Sequence, residues 1–90
     1  MFEINIYRGG FMSFYKMEIT GSIGLTEYSD IHDYFSIVEP IDNFIIFVDD
    51  CSENNLEILI SLLRESNFSI IEKDYNEDGC FYVKVYKNLN

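Results

Sequence analysis

The sequence predicts an α+β two-layer sandwich, with two helices on one face of a mainly antiparallel or mixed sheet, in the order β-β-α-β-α-β-β. Three observations predict it. Period-two patterning and turn chemistry mark a hairpin at each end, two internal segments carry apolar residues at helical spacing, and a solid apolar run lies between those two.

The elements follow in order. Phe2, Ile4 and Ile6 alternate with Glu3, Asn5 and Tyr7, the pattern of a half-buried strand. Gly9-Gly10 supplies a turn, and Phe11 to Thr20 is rich in aromatics and β-formers, so residues 1–20 read as a hairpin. Its aromatic residues leave a homodimer contact open. Gly21 and Gly24 end the hairpin, and from Leu25 to Ser36 the period becomes helical. At 100° per residue Leu25, Tyr28, Ile31, His32 and Phe35 form the apolar stripe, with His32 at the edge of the core, while Glu27, Asp30 and Asp33 are expected opposite and Tyr34 beside them.

After a loop at Pro40 and Asp42-Asn43, the run Phe44 to Val48 reads as a central strand buried on both faces. It stops at Asp49-Asp50-Cys51-Ser52. Ser52 or Asp50 suits a helix N-cap, and Asp50 with Glu53 has capping-box spacing. Leu56, Leu59, Ile60 and Leu63 form the buried stripe of this second helix, widened by Ile58 and Leu62. Phe68 to Tyr75 and Cys80 to Tyr86 are strands joined at Asn76-Glu77-Asp78-Gly79, a hairpin turn.

Ninety residues, 48% apolar and 17% aromatic, suffice for one domain spanning residues 1–90. The longest apolar run is far short of the ~20 residues that cross a membrane. With no basic or signal-type segment at Met1, the expectation is a soluble cytoplasmic protein. Cys51 and Cys80 make no disulfide framework, and with His32 the single histidine and no CxxC, neither a metal nor a cofactor is expected.

Charge is the most informative feature. Acids outnumber bases 16 to 6, for a formal charge of −10. Between Met17 and Leu63 there is no lysine or arginine, against Glu18, Glu27, Asp30, Asp33, Glu39, Asp42, Asp49, Asp50, Glu53 and Glu57. The flanks balance, so the middle of the chain carries the whole excess. Such repulsion opposes folding and excludes direct nucleic-acid binding. It suits a cationic partner whose groove otherwise holds phosphates. Solubility is the competing explanation.

No catalytic motif accompanies the charge. Adjacent carboxylates at a strand end can hold Mg²⁺ or accept a phosphoryl group, but this chain has too few α/β units to supply the further aspartate and lysine that such sites use. Cys51 at a helix N-terminus could become nucleophilic, but Asp49, Asp50 and Glu53 oppose a thiolate there. Gly21-Ser22-Ile23-Gly24 lacks the spacing and lysine of a phosphate loop.

The expected function is therefore a non-enzymatic inhibitor that binds a basic, nucleic-acid-binding protein such as a nuclease. The candidate partner-binding residues are Glu27, Asp30, Asp33, Tyr34, Asp49, Asp50, Glu53 and Glu57. In size and charge the chain resembles phage anti-defence proteins, such as anti-CRISPR and anti-restriction proteins, some of which imitate nucleic acid. That resemblance is one of general character, without a shared motif. The alternatives are an immunity protein against a cationic toxin nuclease, and a small metabolite-binding regulatory domain with its ligand near Gly21 to Gly24.

Overall fold

The structure, a computed structural model, describes residues 2–9 and 12–89, and side chains over 14–89. Its elements are β1 (Phe2–Gly9), β2 (Met12–Ile19), α1 (Leu25–Phe35), β3 (Asn43–Val48), α2 (Glu53–Glu65), β4 (Phe68–Tyr75) and β5 (Phe81–Lys87). The predicted order and architecture hold. The Gly9-Gly10 turn lies partly outside the described residues.

Five strands form one mixed sheet, in the order β1-β2-β3-β5-β4. β2 and β3 are parallel, while β1·β2, β3·β5 and β4·β5 are antiparallel. Two antiparallel steps make β4 run the same way as β3. Each helix therefore returns the chain to the start of a parallel strand, α1 from β2 to β3 and α2 from β3 to β4, with β5 inserted between the latter two. Both helices start at the same end of the sheet, where β2 and β3 finish.

One face of the sheet carries the core. Tyr15, Met17 and Ile19 from β2, Phe44, Ile46 and Val48 from β3, and Phe81, Val83 and Val85 from β5 are buried under Ile31 and Phe35 of α1 and Leu59, Leu62 and Leu63 of α2. Phe35 meets Phe44 and Phe68 edge-on, with ring centroids 5.6 and 5.1 Å apart, a preferred aromatic geometry. Lys87 closes the C-terminus of α1, its Nζ donating to the Phe35 carbonyl at 3.1 Å, where a cation complements the helix dipole.

The opposite face is open, which corrects the expectation for β3. Ile45 and Phe47 are only half-buried, because both crossovers pass over the same side and the described residues supply no third helix to cover the other. A solid apolar run cannot distinguish one buried face from two.

Two expectations for α1 also change. Leu25 is 89% exposed and His32 is exposed. At 100° per residue they fall roughly 100–120° from Ile31, beyond the narrow stripe that a single neighbouring sheet buries. Glu27 falls only about 40° from Ile31 and is half-buried rather than opposite the core. In α2 the fully buried line is Asn55, Leu59, Leu62 and Leu63, while Leu56, Ile58 and Ile60 are half-buried.

Turn chemistry sets the remaining boundaries. Asn67 takes φ +66° just after α2, the left-handed position that asparagine tolerates at a helix end. The β4–β5 turn closes on Asn76, whose Oδ1 accepts from the N–H groups of Asp78 and Cys80, with Gly79 at φ +83°.

Candidate partner-binding surface

The loops that start the two helices are laced together by side chains from β3 and α2. Asp49 Oδ1 accepts from the Gly21 N–H at 2.8 Å, and Asp50 Oδ2 accepts from the Ser22 hydroxyl at 3.2 Å. Asn55, 2% exposed, is the hub. Its Oδ1 accepts from the Ile23 N–H at 2.8 Å, and its Nδ2 donates to the carbonyls of Asp50 and Gly21 at 2.9 and 3.3 Å. The N-cap of α2 is Ser52, which accepts from the Asn55 N–H. The capping-box spacing of Asp50 and Glu53 is thus not used: Asp50 instead turns back to accept from the Ser52 N–H at 3.1 Å.

Glu27 performs the reciprocal half of a capping box in α1, accepting from the Gly24 N–H at 2.9 Å. Every backbone donor from Gly21 to Gly24 that a phosphate could use, apart from that of Ser22, already meets one of the chain's own oxygens. A metabolite at this turn would have to displace them.

These bonds hold Asp50 ionised. The Ser52 N–H and the Ser52 hydroxyl lower its pKa below the usual carboxylate value, against a smaller opposing effect of burial, and the Ser22 hydroxyl adds the least to the lowering. A depressed folded pKa contributes stability above the unfolded value of about 3.9, and that contribution is lost as pH falls through the folded pKa. The melting temperature of the native protein is therefore expected to exceed that of Asp50→Asn at pH 7, with the gap closing below about pH 4. Thermal melts of both proteins across pH 2.5–7, a window set by that shift, check this; a constant gap would remove Asp50 from the clasp.

The ten central acids divide into two sets. Glu18 pairs with Lys16 at 3.0 Å, Glu27 caps α1, Asp42 accepts from the Glu39 N–H at 2.8 Å, and Asp49 and Asp50 bind the β2–α1 loop. For Asp30, Asp33, Glu39, Glu53 and Glu57 no side-chain hydrogen bond or ion pair occurs among the described residues, and all five are exposed. Four of these lie on the helices. Asp33 and Glu57 each sit two residues from a fully buried position, Phe35 and Leu59, which turns them about 160° away from the core. Tyr34 is exposed at the flank of α1.

No known protein family, curated protein or solved structure matches the chain. Its chemistry must be read from its own surface.

That surface contains apolar residues that the sequence reading assigned to the core. Leu56 and Ile60, with Glu53, Glu57, Ser61 and Arg64, line a shallow groove of about 410 Å³ along the outside of α2. Their helical spacing resembles that of core residues, and only the position of the stripe centre, at Asn55, separates them. A second depression of about 240 Å³ between the helices is lined by Tyr28, Ser29, His32, Asp33 and Glu65. There Tyr28 donates to Glu65 Oε2 at 2.9 Å, which raises the tyrosine pKa.

The catalytic alternatives gain no geometry. His32 borders Glu65 at the C-terminal end of α2, whereas Asp49, Asp50 and Cys51 precede its N-terminal end. Twelve residues of helix separate those ends by about 18 Å. Cys51 Sγ faces the Val48 carbonyl at 3.6 Å, and both cysteines are free thiols. No cluster of three or more His, Cys, Asp or Glu able to hold a metal occurs among the described residues, nor does any helix long and apolar enough to cross a membrane.

Proposed function

We propose that this chain is a non-enzymatic inhibitor whose helix layer binds the basic surface of a nucleic-acid-processing protein, in place of the phosphates that surface normally holds. The observation that carries this reading is the division of the central acids. Those with structural tasks account for themselves, but Asp30, Asp33, Glu53 and Glu57 repel one another on two parallel helices without an internal cation, a cost that binding a cationic surface offsets. Arg64 is the one lysine or arginine on either helix. Tyr34, Leu56 and Ile60 supply apolar contact beside the carboxylates, as partner surfaces need.

Glu27, Asp49 and Asp50 act mainly as internal acceptors in this reading, adding negative potential rather than direct contacts. The partner class includes defence nucleases and cationic toxin nucleases, because both present the same chemistry.

The double variant Asp33→Lys, Glu57→Lys is expected to weaken capture of the partner by roughly 100-fold or more, with an unchanged or slightly raised melting temperature. The measurement is retention of host nucleic-acid-binding proteins on the immobilised chain, eluted by a salt gradient and competed with DNA or RNA. Retention that ignores salt, nucleic acid and both substitutions would sink the reading.

A further inference from the structure

The open face of the sheet has its own chemistry, distinct from the helix layer. The strand register arranges it as two rows. One row runs Lys16, Ile45, Lys84, Glu72 across β2, β3, β5 and β4, and the next runs Glu18, Phe47, Tyr82, Asp74. Between them, the row Met17, Ile46, Val83, Lys73 points to the helix side. Phe14, 45% exposed, and Ile71, 63% exposed, border the first row and line an apolar depression of about 360 Å³ with Lys16, Ile45 and Lys84.

We propose that this face binds a second copy of the chain, in a two-fold dimer. Place the axis across the strands, over the row Met17, Ile46, Val83, Lys73. The rotation then lays each row on the other row of the partner. Lys16 falls over Glu18, Ile45 over Phe47 and Lys84 over Tyr82, each contact occurring twice, as an isologous interface requires.

Charge selects this occupant. The helix layer repels a second copy, whereas two of the six bases of the chain, Lys16 and Lys84, stand on the open face among Glu18, Glu72 and Asp74. Among the described side chains, like charges meet only in the β4 column, where Glu72 stacks on Asp74 with Lys84 one strand inward. The exposed carboxylates of the helix layer stand on the side of the molecule away from this face, where solvent and its counter-ions screen them.

Area is also adequate. Five strands about 4.8 Å apart and up to eight residues long offer a sheet face of roughly 600 Å² in projection, of the order of the ~800 Å² per partner of a standard interface. Sheets packed in this way lie about 10 Å apart. The acidic helix layers would then face outward on both sides of the dimer. The proposal is independent of what those layers bind.

Sedimentation of the full chain over about 1–100 µM tests it, a range that brackets the affinity of ordinary reversible dimers. A species of twice the chain mass is expected. Lys16→Glu or Glu18→Lys alone should weaken dimerisation about 10- to 100-fold by setting like charges against each other across the axis, and the double variant, which restores each opposite pair, should recover it. Phe47→Lys should also weaken it, while circular dichroism verifies the fold of every variant. A monomer at all concentrations overturns the proposal and assigns the face to another occupant. A dimer indifferent to all of these substitutions overturns it equally, because the interface then lies elsewhere.

Discussion

Asn55→Ala is expected to lower the melting temperature by about 10–20 °C, the largest effect of any substitution at a polar residue in this chain. The side chain is buried and makes three hydrogen bonds to backbone groups of two separate loops. Its removal strands the Ile23 N–H and the Asp50 carbonyl. A buried polar group left without a partner costs about 1–3 kcal/mol, so a total near 3 kcal/mol is reasonable. Each kcal/mol is worth about 4–8 °C in a domain of this size. Asn55→Asp is the sharper control. The carboxylate can still accept from Ile23 but cannot donate to Asp50 or Gly21, and it adds a charge beside Asp49 and Asp50. It is expected to be no more stable than the alanine variant. A loss of less than about 3 °C for either would show that the clasp is not what joins the two helix starts.

Asn55 also marks what a linear reading misses. Phe44 to Val48, the two helices and the C-terminal hairpin are legible as elements because apolar spacing and turn residues mark the type and the ends of an element. Nothing local reveals that an asparagine in a helix will bond a loop 32 residues earlier. The same limit explains the open face. Ile45 and Phe47 have the composition of doubly buried residues, and their incomplete burial follows from both crossovers lying on one side, a property of the whole topology.

The candidate site was legible in part. The acid-only span from Met17 to Leu63 places the charge, but composition does not say which carboxylates are already engaged. Glu27, Asp49 and Asp50 look the same in sequence as Asp30, Glu53 and Glu57. Only the first three hold backbone donors. Residue spacing gave one usable clue at Glu27, three positions after Gly24, where a glutamate reaches back to the N-cap N–H.

Phe35→Ala is expected to cost about 3–5 kcal/mol, a large part of the ~5–15 kcal/mol that holds a typical domain folded. Phe35 is fully buried, and its ring is where α1 meets both the sheet and β4, through Phe44 and Phe68. Within α1 only Ile31 is buried as deeply. α2 has three fully buried leucines, so the loss should fall unevenly on the two helices. Hydrogen exchange can separate local from global loosening. Amides of residues 28–35 should exchange faster relative to those of α2 in the variant than in the native protein. Equal acceleration of both helices would mean that they open as one unit and that Phe35 supports the whole helix layer. Phe47→Ala, on the open face, is the comparison. In the monomer it should cost about 2 kcal/mol, less than Phe35→Ala, since Phe47 is only half-buried. A much larger, concentration-dependent loss would locate the rest of its burial in a second chain, which is the contact that the two rows of the open face are arranged to make.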